Sequence, residues 1–313
     1  MKASAPEQHH AAVSVLDAPH SEQRDQAGGD ATRESWTNPR DGSILRLIPA
    51  GEFVMGSTQE QIEAAGRMDV GGHPALLLHE MPQFRAWVPA YYLGVYAVTN
   101  EQFAVFLSDT RPTAAELMRW APALERIVAP TAPAEPYRVA PGYERHPATH
   151  VSWFGAAAYC RWAGLRLPTE IEWEKGARGT DGRLFPWGNE WRADALRWHG
   201  GDRREGETTA PVDAYPEGRS PYGLFQMAGN VNEWCADWFQ RDVYRRYATG
   251  DLRPPFAGRE RVLRGGTCLQ WLRHHFRCAH RSGNPSAMVN ILHTGFRCAA
   301  SAPPPDLNTK GRG

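Results

Sequence analysis

The sequence predicts a loop-rich fold in which short helices and short strands are pinned together by aromatic rings. Three observations predict it. The 313 residues include 12 Trp, 30 Gly and 25 Pro; Gly and Pro interrupt regular elements, and large rings fill the spaces that turns enclose. Capping-box patterns open only brief helical stretches, and apolar runs of a few residues sit between turn residues. Finally, Tyr222–Trp238 reads YGLFQMAGNVNEWCADW and sets Phe225, Trp234 and Trp238 beside Gly223 and Gly229, with Gln226, Asn230, Asn232, Glu233 and Asp237 among them. That stretch reads either as a tightly packed aromatic turn or as a turn whose freed carbonyls, with Glu233 and Gln226, surround a hard cation.

Composition narrows the function. Hydrophobic residues make up 42% and charged residues 22%, as in an ordinary globular chain. Lys+Arg and Asp+Glu both number 35, so no overall field directs the chain to nucleic acid or to an anionic membrane. Lys2, Lys175 and Lys310 are the only lysines. No apolar run approaches the roughly 20 residues of a membrane helix, and the first residues lack the apolar core of a signal peptide. Five cysteines are an odd, sparse set, which argues against a disulfide scaffold and for a cytoplasmic address with reduced thiols.

In chain order, residues 1–40 are polar and aperiodic and read as a disordered leader; 301–313 read as a disordered tail, leaving one domain over 43–300. Ile44–Ile48 and Phe53–Met55, bent at Pro49-Ala50-Gly51, read as a hairpin-like strand pair. Thr58–Gln83 reads as loop, and Phe84–Val95 as a strand. Thr99 and Gln102 form a capping box for a helix that sets Phe103, Phe106 and Leu107 on one face. A Pro/Ala-rich insertion follows, with a short helix over Ala114–Trp120. Ser152 caps a helix whose buried stripe is Trp153, Ala156, Ala157 and Cys160, and Gly164 suits its end. Thr169 and Glu172 box the next helix; Glu170 and Glu172 fall in its first turn, where the helix dipole favours anions. FPWGNEW is a turn clamped by Phe185, Trp187 and Trp191. Arg261–Arg264, His275–Arg281 and Gly295–Ala300 read as strands, with Phe276, Cys278 and His280 on one face and Cys278 and Cys298 in the core.

Taken together, IPAGEFVMGS, AVTNEQF, HPATHVSWFGAAAYCRWAGLRLPTEIEWEKGARG, FPWGNEW, YGLFQMAGNVNEWCADW, RVLRGGT, RCAHRS and GFRC resemble the formylglycine-generating enzyme family, also called the sulfatase-modifying factor family. The resemblance runs from about Ile48 to Ala300. It implies an α+β, loop-rich fold, distorted C-type-lectin-like, for the 43–300 domain. It also implies oxygen-dependent oxidation of a sulfatase cysteine, with copper(I) held by two thiolates after a GGS turn, because soft deprotonated sulfur stabilises Cu(I).

This chain departs from that pattern. Thr267 stands for the serine of the turn, Cys268 falls on the first copper ligand, and the second position carries Arg273. Asn232 replaces a tryptophan that floors the substrate groove. The resemblance thus places Cys268 and Thr267 as catalytic residues and Asn232, Arg273, His274, His275 and Arg277 in the groove. Its calcium site maps onto the side chains of Gln226 and Glu233 and the carbonyls of Gly229 and Val231. Copper or iron is the redox metal to expect; His274, His275, His280 and His293 crowd the groove segment and read either as ordinary groove-lining or surface histidines or as a three-histidine iron set without a recognised spacing. Arg264, Arg273, Arg277, Arg281 and Arg297 either line the groove for a carboxylate or peptide terminus, or pair with core carboxylates. The expected function is an oxygen-dependent oxidoreductase tailoring a peptide or small molecule rather than a standard sulfatase. A non-catalytic binding module and genuine formylglycine generation are the alternatives.

Overall fold

The computed structural model describes residues 34–70, 72–132, 134–201, 209–287 and 293–301. The first half runs β1 (Ser35–Thr37), β2 (Ile44–Ile48), β3 (Gly51–Met55), α1 (Gln59–Arg67), β4 (Phe84–Val88), β5 (Tyr91–Gly94), α2 (Asn100–Thr110), α3 (Ala114–Trp120), β6 (Ile127–Val128) and β7 (Arg138–Val139). The second half runs α4 (Trp153–Trp162), α5 (Glu170–Arg178), β8 (Asn232–Trp238), α6 (Val243–Tyr247), β9 (Glu260–Arg264), β10 (Arg281–Pro285), β11 (Thr294–Gly295) and β12 (Ala299–Ala300). Among the described residues no helix is long and apolar enough to cross a membrane.

Caps set the helices. Thr58 with Gln61, Thr99 with Gln102, Thr113 with Glu116 and Thr169 with Glu172 close full capping boxes on α1, α2, α3 and α5. Ser152 caps α4 through the Gly155 amide. Each box satisfies two amide or hydroxyl groups that a helix start would otherwise leave unpaired. The helix α1 corrects the loop expected over Thr58–Gln83, which also holds a 3₁₀ turn at Pro74–Glu80.

Strand order is β1-β2-β5-β12 in one sheet and β10-β9-β8-β11 in the other, with β11 parallel to β8. The hairpin expected between β2 and β3 does not form: β2 lies between β1 and β5, and β3 pairs with β4. The run Phe84–Val95 likewise divides into β4 and β5 at Pro89, which has no amide to continue a ladder. Order begins before Ser43, because Trp36 on β1 packs against the core. His275–Arg281 is not a strand: a 3₁₀ turn covers Arg273–Phe276 and β10 begins at Arg281. Only the two ends of Gly295–Ala300 pair, and with different sheets.

Two large apolar clusters fill the interior. One gathers Phe103, Phe106, Tyr159, Trp234 and Phe296; the other gathers Tyr91, Trp173, Leu224, Tyr244 and Cys278. Every residue of α5 is buried. Its charges are therefore matched: Glu170 accepts from Arg281 at 2.6 and 2.8 Å and from Arg264 at 3.1 Å, and Glu174 from Arg178 at 3.0 Å and from Arg264. Lys175 Nζ donates to the carbonyls of Pro49 and Gly51 at 2.6 and 3.0 Å. Asp237 accepts from the Glu170 amide at 2.8 Å; burial, then the Glu170 charge, pushes its carboxyl up to about 7.

Candidate active-site groove

Strand β9 ends at Arg264 and the chain turns through Gly265 and Gly266, at φ of 95° and 74°. A side chain at Gly266 would meet the Phe276 ring at 2.8 Å, so glycine is required there for space as well as for φ. The turn is closed onto the segment before β8. Gly229 N donates to Gly265 O at 2.8 Å, and Cys268 N donates to Asn230 O at 3.0 Å. Asn230, itself at φ 67°, ties this segment to the chain at Ala210: Ala210 N donates to Asn230 Oδ1 at 2.9 Å, and Asn230 Nδ2 donates to Ala210 O at 3.0 Å.

On the other side, Asn232 N donates to His293 O at 3.2 Å, and β11 extends that contact along β8. His293 is buried with φ 42°, and among the described residues neither of its ring nitrogens has a hydrogen-bond partner. Its ring lies 5.2 Å from that of His150, which is also buried and at φ 57°. His150 Nε2 stands 3.7 Å from the Glu125 carboxylate. Burial, then His150, pulls the His293 pKa down, so the ring is neutral at neutral pH. Four of the non-glycine residues at positive φ (Gln226, Asn230, His150 and His293) thus converge here, and strained backbone of this kind is held in place by its surroundings at functional sites.

Most of the expected catalytic and groove residues are buried. Cys268 is fully buried, so it is not an exposed reactive thiol as the structure stands. Thr267 is buried too; its Oγ1 accepts from Leu269 N at 3.0 Å and its amide donates to Gln270 Oε1 at 2.9 Å, so the hydroxyl serves the turn. The cationic lining is neutralised in place. Arg273 pairs with Asp69 at 2.9 Å, Arg277 with Glu80 at 2.8 Å, Arg264 and Arg281 with Glu170, and Arg297 with Glu233. Arg273 and His274 thus engage Asp69, and Arg277 engages Glu80, both in the segment that follows α1.

The rings of His274, His275 and His280 gather there, with centroids 4.4 Å apart for His274–His275 and 4.7 Å for His275–His280. Alternation along a strand would have parted them; the 3₁₀ turn brings them together. Burial, then His280 and His274, pulls His275 down to about 2. Burial, opposed by Glu80, pulls His280 down to about 4. Burial alone would raise the Glu80 carboxyl, but Arg277 and His280 hold it well below the usual range. Asp69 and Glu80 lie in the segment expected as loop, where the capping pattern Thr58-x-x-Gln61 is the local signal of α1.

The implied metals fit these residues poorly. Glu233 would be the only anionic calcium ligand, yet Arg297 grips both its oxygens at 2.6 and 2.8 Å and Trp173 Nε1 adds a third bond at 2.7 Å. The Gln226 side-chain oxygen accepts from Asn230. For copper, the second thiolate position is Arg273, already paired with Asp69. For iron, the Nδ1 atoms of His274 and His280 stand 3.4 Å from Asp69 and Glu80. Among the described residues no group of three or more His, Cys, Asp or Glu is arranged to hold a metal ion.

The fold and the groove define a mixed helix–sheet scaffold with a glycine-pair turn laid against a strained aromatic segment. The chain belongs to the family of the sulfatase-modifying factor enzyme 1-like domain, whose pattern matches residues 32–302. It is 36% identical over 294 residues to the formylglycine-generating enzyme of Streptomyces coelicolor, covering 82% of this chain and 88% of that one. It is 37% identical over 265 residues to the serine/threonine-protein kinase pkn1 of Chlamydia pneumoniae, covering 81% of this chain; the chain spans 37% of that relative's length. PvdO from Pseudomonas aeruginosa shares the fold at a TM-score of 0.62 and 22% identity, covering 85% of this chain and 97% of that chain.

Proposed function

We propose that the chain is an oxygen-dependent tailoring enzyme acting on a peptide or small molecule other than a standard sulfatase. The observation that carries this reading is the family match over residues 32–302, with the glycine-pair turn closed onto Gly229–Asn232 as one unit. The departures support a changed substrate. Asn232 offers a small amide where the resemblance expects a tryptophan ring, and Arg273 stands in the place of a thiolate. The neutral ring of His293, with His150 beside it and Glu125 behind His150, can accept a hydrogen bond from a donor group of the substrate and hold it against Asn232. Burial of Cys268 favours a second reading, a ligand-binding module that has kept the scaffold without turnover.

Oxygen uptake separates the two. The purified full chain is assayed in an oxygen electrode with thiol peptides and small thiols, with and without added copper or iron salts. Uptake that depends on substrate and on the chain supports the enzyme. Saturable binding of a tested compound, seen by calorimetry without oxygen consumption, overturns it in favour of the binder.

A further inference from the structure

Trp153, Ala157 and Arg161 recur every four residues and therefore share one face of α4. The sequence places Trp153 and Ala157 on the buried stripe of that helix, yet both are only partly buried. They border a hollow of about 650 Å³, which Leu165, Leu167 and Ala236 also line. Alanine at 157 and 236 leaves open the space that a larger side chain would fill. Such a volume behind apolar walls suits a small molecule. Ala236 stands four residues along β8 from Asn232, roughly 13 Å away, so the hollow is separate from the groove.

The surroundings are cationic. Arg166 is neutralised by Glu172, to which its Nη1 and Nη2 donate at 2.7 and 2.6 Å, and its Nε donates to Ser301 Oγ at 3.0 Å. Arg161 is exposed at the rim, and among the described residues nothing pairs with it. Arg261 lies on the Trp153 ring, 3.7 Å from its centroid, with Trp238 on its other side at 3.4 Å. Its Nη1 donates to Ala236 O at 2.6 Å. Burial lowers this guanidinium to about 10, so it stays charged at neutral pH. Asp237, the neighbouring acid, is pushed up to about 7 and carries only part of its charge there. The Trp153 ring is fixed in turn by its Nε1, which donates to Cys235 O at 2.9 Å.

We propose that this hollow is a binding site for a small aromatic carboxylate. The ligand's ring lies against Trp153 and Ala157, where an immobilised indole offers an aromatic partner. Its carboxylate meets Arg161, whose planar fork matches two carboxylate oxygens. Arg261, on the far side of the Trp153 ring, adds to the attraction. A neutral analogue of the same shape keeps the apolar contact and loses the charge-assisted one.

The test titrates naphthoate into the purified full chain, followed by ligand-observed NMR. Saturable binding at a single site is expected, with a Kd of roughly 0.1–1 mM for a ligand of this size. The neutral naphthamide should bind about fivefold more weakly, and added salt should narrow that gap. Arg161→Gln should remove the preference for the acid, and its exposed position leaves the fold intact. Ala157→Trp fills the hollow and should abolish binding; circular dichroism checks that both variants fold, and Arg161→Gln carries the test if Ala157→Trp does not. Absence of saturation, equal affinity for acid and amide, or binding unchanged in Arg161→Gln would each overturn the proposal. Binding seen only in a chain ended at Ser301 would also overturn it, by giving the hollow to the residues that follow.

Discussion

Around α5, nine consecutive buried residues carry three carboxylates and two cations, and each engages a partner. Around His293, a buried ring on strained backbone has two nitrogens without a hydrogen bond among the described residues. Both regions bury polar groups; the first pairs every charge and leaves Arg178 Nη2 and Arg264 Nε without a hydrogen bond, whereas His293 has a partner at neither ring nitrogen among the described residues. Leaving a buried polar atom unpaired costs about 1–3 kcal/mol, and a non-glycine residue at positive φ adds strain of similar size. The difference teaches where stability has been set aside. The α5 network holds the scaffold, and the His150–His293 region keeps hydrogen-bonding capacity that a ligand can use.

Breaking the satisfied region should have the largest effect. Glu233→Gln leaves the Arg297 guanidinium buried without its counter-charge, and a loss of about 3–5 kcal/mol in urea unfolding is expected. A change below 1 kcal/mol would mean that Arg297 finds another partner.

Asp237 is the member of the network whose charge is disfavoured. Its native pKa, raised to about 7 from 3.8, means that the native state holds a proton that the unfolded state has released. Its contribution is therefore fully present below about pH 4 and lost as pH rises through about 7. His280, pulled down to about 4 from 6.5, acts in the opposite direction over part of this range. Asp237→Asn isolates the carboxyl: the stability of the variant relative to wild type should grow from pH 4 to pH 7 and then level off. A pH-independent difference would contradict the raised pKa.

The smallest effect on stability should come from the unsatisfied region. His293→Met removes two unpaired polar atoms, so it should not destabilise: the unfolding free energy should stay level or rise by about 1–3 kcal/mol. The same substitution should abolish any substrate-dependent oxygen uptake. A large destabilisation would place His293 with the scaffold instead.

Much of the scaffold was legible in the residues. Thr99, Ser152 and Thr169 announced their helices because capping is local, and FPWGNEW announced its clamp, where Phe185 and Trp187 stack at 5.3 Å. Pairing was less legible: nothing near Pro49 says that β2 will join β5 rather than β3, since register is decided by partners far along the chain. In the groove, Asn232 and the glycine-pair turn could be placed from motifs. The partners of Arg273 and Arg277 could not, because Asp69 and Glu80 lie some 200 residues earlier and meet them only in the fold. His150 carried no signal beyond its place before Val151-Ser152-Trp153.

Lys175 carries one further consequence. Its ammonium group is sealed beneath Pro49 and Gly51, and the chain has no other lysine between Lys2 and Lys310. Acylating reagents and amine-directed couplings should therefore spare the whole intervening domain while it stays folded. A Lys175 that does take up an amine-directed label would report that the cover of Pro49 and Gly51 had opened.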